Sequence, residues 1–417
     1  MTVRTPLTKA WRTSTVRGSG SLARTERILF LGALGMLVVS AVLGDSLGAG
    51  AAVAGGPALR AHVHAGSLGW LTLAVLAVAA GMAGGDDRRA ARPARLGDGL
   101  SWLTVVTVAA FVITDAAGWA AGGAWTGSAA LAAILAFAGW LALAGRRAGT
   151  PWTVARLGMA GGLAVLIAGS VIGAASAATA ADGNETGAAS LASAHSAAAV
   201  VPFVILAVTS VLEWSAAPSS GAAPVTTAGL VQVGALLLAA VAVITGTLGH
   251  DLTLVEANIP LELGGIVIFL VRAGPSLLGA GWLASGRIWL VTSTVALAVD
   301  VGLFAHVVFE IGRRRYVSID TVPQWLLFTV DHTTFVAVGT TAVIGAIAAL
   351  AGQDARWPRT DAPAAAGLVL GLAATAAGIG AGSALLETAF AAVLGVSVLL
   401  AVVVAALRVS GISRRPT

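Results

Sequence analysis

Residues 61–82 read AHVHAGSLGWLTLAVLAVAAGM, and no Asp, Glu, Lys or Arg interrupts them. Such a run matches the roughly 20 apolar residues that carry one helix across the hydrocarbon core of a bilayer. The same kind of run recurs along the chain. Stretches near 28–44, 100–121, 126–144, 155–176, 191–212, 226–248, 256–272, 288–310, 323–349, 363–381 and 384–407 bring the total to twelve. The eighth has the softest ends, because Pro260, Glu262, Arg272 and Pro275 fall in or beside it. The first run lacks the short apolar region and cleavage site of a signal peptide, so it reads as a span. The expected organisation is a basic tail over 1–27, an all-α transmembrane domain over 28–408 and a short tail over 409–417.

Composition agrees. Of 417 residues, 57% are hydrophobic and 10% charged, with a mean hydropathy of +0.91, whereas about a quarter of a soluble globule is charged. The 53 glycines sit inside apolar runs, where they allow close helix packing. Zero cysteines exclude disulfides, iron–sulfur clusters, thiolate-bound metals and c-type haem attachment. The net charge of +5 comes from arginines and a single lysine, Lys9, set against 19 acids. These cations cluster between apolar runs and make no continuous face, which is a topology signal and argues against a nucleic-acid partner. The chain has neither a phosphate-binding glycine loop nor the large soluble region of a nucleotide-driven pump.

Positive charge sets the expected sidedness. Arg4, Lys9, Arg12, Arg17, Arg24 and Arg27 place the N-terminus in the cytoplasm. With twelve spans, Arg88, Arg89, Arg92, Arg95, Arg146 and Arg147 fall on the same side, as do Arg408, Arg414 and Arg415 at the C-terminus. The exception is Arg313, Arg314 and Arg315, which end the ninth span outside. Either a span is miscounted or these cations have work on that face.

The six histidines, His62, His64, His195, His250, His306 and His332, all take the outer side in this scheme. His62 and His64 open span two, His195 opens span six, and His332 lies some turns into span ten. His250 and His306 close spans seven and nine. A histidine in an apolar helix costs solvation unless paired, hydrogen-bonded or bound to metal. Imidazoles from five helices in a chain without cysteine fit haem iron or histidine-ligated copper. Spans two and ten supply a facing pair for iron. His62 and His64 point about 200° apart on a helix, so one is the ligand and the other serves elsewhere. Asp331 stands beside His332 and could fix the tautomer of an imidazole. Asp115, Asp300 and Glu387 form a further polar set inside spans, where an unpaired Asp costs about 2.5–3.5 kcal/mol; they relay protons or serve as hydrogen-bonded structural acids. The tryptophans, among them Trp70, Trp102, Trp125, Trp214, Trp282, Trp289 and Trp325, are expected in interfacial belts.

Three segments carry a resemblance. AHVHAGSLGWLTL (61–73) resembles the second span of the haem-copper oxidase large subunit (subunit I) superfamily, in its divergent nitric oxide reductase and cbb3-like branch. DHTTFVAVGTTAVIG (331–345) resembles span ten of the same group. ASAHSAAAVVPFVILAVTSVLEW (192–214) is similar to its span six. The resemblance implies a subunit I-like twelve-helix bundle, with one of His62 or His64 and His332 clamping a low-spin haem b. His195 would take the place of a histidine of the copper or high-spin centre. It also implies that Arg313, Arg314 and Arg315 meet haem propionates on the outer face. This chain departs from the pattern in having no adjacent histidines, one tyrosine (Tyr316) outside the spans, and one histidine in span ten. These departures put a working copper centre in doubt, although His195, His250 and His306 could still form an unusual metal site.

The function expected is electron transfer by a haem-binding, multi-pass cell-membrane protein, with membrane lipid around it, a cytochrome or quinone as donor, and further subunits allowed. Reduction of oxygen or nitric oxide would need a second metal held without the usual ligands. The alternative is a cofactor-free transporter or metal permease, which would spread histidines over both halves of the membrane. A third reading is a structural subunit that binds nothing.

Overall fold

The computed structural model describes residues 22–48, 56–83, 94–199, 201–216, 225–279, 286–313, 315, 321–351 and 358–411. Among these, twelve helices are long and apolar enough to cross a membrane: α1 (Arg24–Gly48), α2 (Pro57–Ala83), α3 (Arg95–Ala116), α4 (Ala120–Arg147), α5 (Val154–Ala181), α6 (Glu185–Ala216), α7 (Thr227–Gly249), α8 (Leu252–Leu278), α9 (Arg287–Gly312), α10 (Gln324–Ala351), α11 (Thr360–Gly380) and α12 (Ala384–Ser410). The protein is an all-helical, multi-pass membrane protein. The expected eighth span is intact. It runs through Pro260 and Pro275 and starts at Asp251, whose Oδ1 accepts the backbone N–H groups of Thr253 and Leu254 at 2.9 and 3.4 Å. The bundle begins at Arg24, earlier than expected, and ends at Ser410. Most of the tail basic residues, and Arg88, Arg89, Arg92, Arg314, Tyr316 and Trp282, lie outside the described residues.

Helices α2, α6 and α10 stand inside a ring made by the other nine. Around the ring, α1 packs on α3, then α4, α5, α7, α8, α9, α11 and α12 follow in contact, and α12 closes on α1. The three inner helices touch one another. In their most apolar windows, 83% of α2, 60% of α6 and 83% of α10 is buried, against 28–44% in the rest. Every fourth helix is therefore central, so the bundle is three successive groups of four. The inner halves of α2 and α10, LAVLAVAAGMA and TAVIGAIAALA, suit that place: small residues on every face let neighbours approach from all sides. Elsewhere glycine sets the close crossings. A Cβ on Gly371 would lie 2.9 Å from the backbone of Leu394, and one on Gly378 2.9 Å from that of Glu387, which pins α11 on α12.

Both α2 and α10 open into a π-helical stretch directly after a histidine, at Ala65–Thr72 and Thr333–Thr340. Each stretch ends in a threonine whose hydroxyl donates five residues back, Thr72 to Ser67 O and Thr340 to Phe335 O, both at 3.1 Å. The wide turns touch across the centre. There the buried Trp70 Nε1 donates to Thr340 Oγ1 at 2.9 Å. Trp70 is thus no interfacial residue. Trp289, bonded to Asp361, and Trp214 stand at span ends as expected, but both are buried against the protein instead of facing lipid. Trp102, Trp125 and Trp325 are exposed as belts require. Single π turns recur at functional sites, and here two flank one end of the bundle centre.

A histidine site at one end of the bundle

Four histidines gather around this central end, and each is oriented through the same nitrogen. His62 Nδ1–H donates to Ser40 O on α1 at 2.8 Å, while Ser40 Oγ donates to His62 O at 3.1 Å. His332 Nδ1–H donates to Phe328 O, one turn back on α10, at 3.1 Å. The Phe328 ring stacks on His332 with centroids 3.8 Å apart. His195 Nδ1–H donates to Gly169 O on α5 at 2.8 Å. His64 Nδ1–H donates to Asp115 Oδ2 on α3 at 2.6 Å, and Arg60 Nε holds the other carboxylate oxygen at 3.1 Å. These partners assign the tautomer. Among the described residues none of the four Nε2 atoms has a hydrogen-bond partner. An imidazole held by Nδ1–H with Nε2 free is how proteins present histidine to a metal, because the held N–H fixes the ring and raises ligand basicity.

The four fall into two pairs. His62 and His332 lie within electrostatic reach of each other across α2 and α10. His64 and His195 face each other from α2 and α6, ring centroids 6.4 Å apart. Two imidazoles opposite one another on a single ion, with bonds of about 2.0–2.1 Å, put their centroids about 6 Å apart. The two histidines of α2 thus serve opposite sides, in keeping with a divergence of about 200° over two helical residues.

The π stretches of α2 and α10 touch each other, and the histidines stand directly before them. All four histidines are partly accessible, and Asp331 is exposed although it belongs to an inner helix. On the other flank the fit is close: a Cβ on Gly44 would meet the His62 ring at 2.8 Å.

The remaining expected residues divide. Asp115 is part of the site, behind His64. Asp331 holds no histidine among the described residues; adjacent helical residues point about 100° apart, and the carboxylate expected there belongs to Asp115. His195, His250 and His306 do not assemble into a metal site. His250 caps α7 with φ +54° and is exposed, with Ser190 Oγ 3.5 Å from its Nε2. His306 is exposed on α9. Among the described residues no group of three or more His, Asp or Glu side chains could hold a metal, so His195 answers to His64 instead. Arg313 lies 5.4 Å over the Phe309 ring, and Arg315 bonds Glu310 at 3.3 Å. Both arginines are exposed and have partners on their own helix or its end. Glu387 is half-buried in the first turn of α12. Asp300 is buried on α9 and accepts from Thr334 Oγ1 at 2.9 Å.

Sequence reading missed Ser40, Gly44, Arg60, Gly169 and Phe328. Three of these act through backbone atoms, which leave no mark on residue type; Arg60 is visible two residues before His62. No protein-family model matches the chain, and no curated protein does either.

Proposed function

We propose that the protein is a membrane haem protein that transfers electrons, with the iron of a b-type haem held between His62 and His332. What carries the reading is the set of imidazoles from the inner helices, each fixed through Nδ1 with Nε2 free, gathered at one end of the bundle. The partial exposure of all four rings supports access to them. Ser40 O and Phe328 O would hold the two rings in the ligating orientation. The stacked Phe328 would shield one of them from water, and the apolar helices would keep the site in a low-dielectric surround. A haem so ligated supplies one-electron transfer without an open coordination position. This agrees with the missing histidine pair of the oxygen-reducing relatives that the sequence resembles, and leaves a cytochrome or quinone donor as the partner class.

The test is a reduced-minus-oxidised spectrum with pyridine-haem quantitation on protein from haem-replete cells. A sharp low-spin band is expected, lost in His62→Ala and in His332→Ala and kept in His250→Ala and His306→Ala. Colourless, folded wild-type protein would defeat the proposal and return the permease reading.

The 6.4 Å spacing of His64 and His195 favours a second occupant there. Two imidazoles without thiolate suit a single copper ion. Metal analysis of the same preparation tests this: copper present in the wild type and absent from His195→Ala supports it, while equal copper in both removes it.

A further inference from the structure

Away from the histidines, α8, α9 and α10 enclose a second polar group that the electron-transfer reading does not use. Glu262 of α8 and Asp300 of α9 are buried, 4% and 6% exposed, on helices that pack together. Asn258, 8% exposed, lies one turn before Glu262 on α8. Thr334 Oγ1, in the π stretch of α10, donates to Asp300 Oδ2 at 2.9 Å. Two acceptors stay unmatched: Asp300 Oδ1 and Asn258 Oδ1 are buried without a hydrogen-bond partner.

Among the described residues neither carboxyl has a cation partner. On α10 Asp331 is exposed and His332 is held by Phe328 O. Helix α7, packed on α8, has no ionisable residue. On α6 Glu213 is taken by Arg272, on α11 Asp361 by Arg408, and on α9 Glu310 by Arg315. Glu256 of α8 and His306 of α9 are exposed. Two neighbouring carboxylates in an apolar interior cannot both stay charged without a counter-charge, and the unmatched acceptors require donors.

We infer that Glu262 and Asp300 form a proton-binding site within the membrane region, in which one proton taken from water neutralises one of the two carboxyl groups. The carboxyl that carries it gains an O–H donor among oxygens that otherwise lack one, while Asp300 Oδ2 remains the acceptor of Thr334. Uptake forms one O–H bond and involves no electron. Because Thr334 is two residues from His332, occupancy of the site is felt at the π stretch. The inference stands whether or not iron binds at the histidines.

Infrared spectroscopy of the full-length protein in detergent at neutral pH tests it. The expected result is a carboxylic-acid C=O band that shifts in D2O, and that loses the intensity of one carboxyl group in both Glu262→Gln and Asp300→Asn. If those variants fail to fold, wild-type protein grown with carboxyl-labelled aspartate or glutamate makes the same assignment, and at least one label should displace the band. Absence of a protonated-carboxyl band overturns the inference. So does a band that neither substitution nor label moves, or one that sodium ions abolish, which would make an alkali cation the occupant.

Discussion

The two ends of the bundle are built from opposite materials. At one end four arginines reach acceptors, while Arg27 Nε, Trp140 Nε1 and Ser215 Oγ are buried without a hydrogen-bond partner among the described residues. Arg408 bonds Asp361 at 2.7 Å, and Asp361 also receives Trp289 Nε1 at 3.0 Å and Gly286 N–H at 2.8 Å. Arg272 forks onto Glu213 and Gln232. Arg156 donates to Met82 O, and Arg287 to Ser276 O. Each contact joins starts of odd-numbered helices or ends of even ones, with each other or between the two sets. These bonds staple the bundle. At the other end the imidazoles are oriented but not completed, with a free nitrogen on each of four rings. The contrast is between guanidinium groups that cross-link helices and imidazoles that are held through one nitrogen.

The largest effect that would sharpen this contrast comes from His332→Ala. It should abolish the low-spin haem spectrum while the apoprotein still unfolds cooperatively, as read by absorption and thermal denaturation in detergent. Loss of folding instead would make His332 a structural residue and blur the distinction. Asp361→Ala should do the reverse. Stripping the buried Arg408 of its partner should cost about 3–5 kcal/mol of stability, measured by unfolding in mixed detergent, with haem per folded chain unchanged. A haem defect in that variant would show the two ends to be coupled. Asp115→Ala acts behind His64, and the loss of such an orienting carboxylate should weaken metal affinity at the His64–His195 pair about 10–100-fold by competition with a chelator. Unchanged affinity would mean that Asp115 only anchors Arg60. The smallest effect belongs to Arg315→Gln, whose ion pair with Glu310 has its arginine side chain 69% exposed. Stability should fall by less than about 1 kcal/mol, and a larger loss would show the loop end of α9 to be part of the staple.

Much of this was legible before folding. The twelve spans, including the continuous eighth, follow from run length, and the histidines lie at one end because the spans alternate in direction. With twelve helices present, Arg313 and Arg315 remain at the histidine end, so a miscounted span does not explain them. The pairing of histidines was only partly legible. Helical geometry separated His62 from His64, but His195 was grouped with His250 and His306 because all three lie at the same depth. Depth is shared by every residue at one end of a bundle; proximity also needs the rotation of each helix about its axis. The acid behind an imidazole was sought at Asp331, the sequence neighbour, and found at Asp115, fifty-one residues away from His64. Trp70 was read as interfacial by residue type, although an indole N–H with a buried acceptor is equally at home inside.

The chain alone determined that it is a bundle of membrane helices with its histidines at one end, since apolar length and the cost of burying charge act on each segment by itself. Tertiary structure decided which three helices stand at the centre, which imidazoles face each other, and which carboxylates are left to repel. Those outcomes depend on rotations and crossings set by small-residue contacts and π turns between segments far apart in sequence, and no single segment carries them.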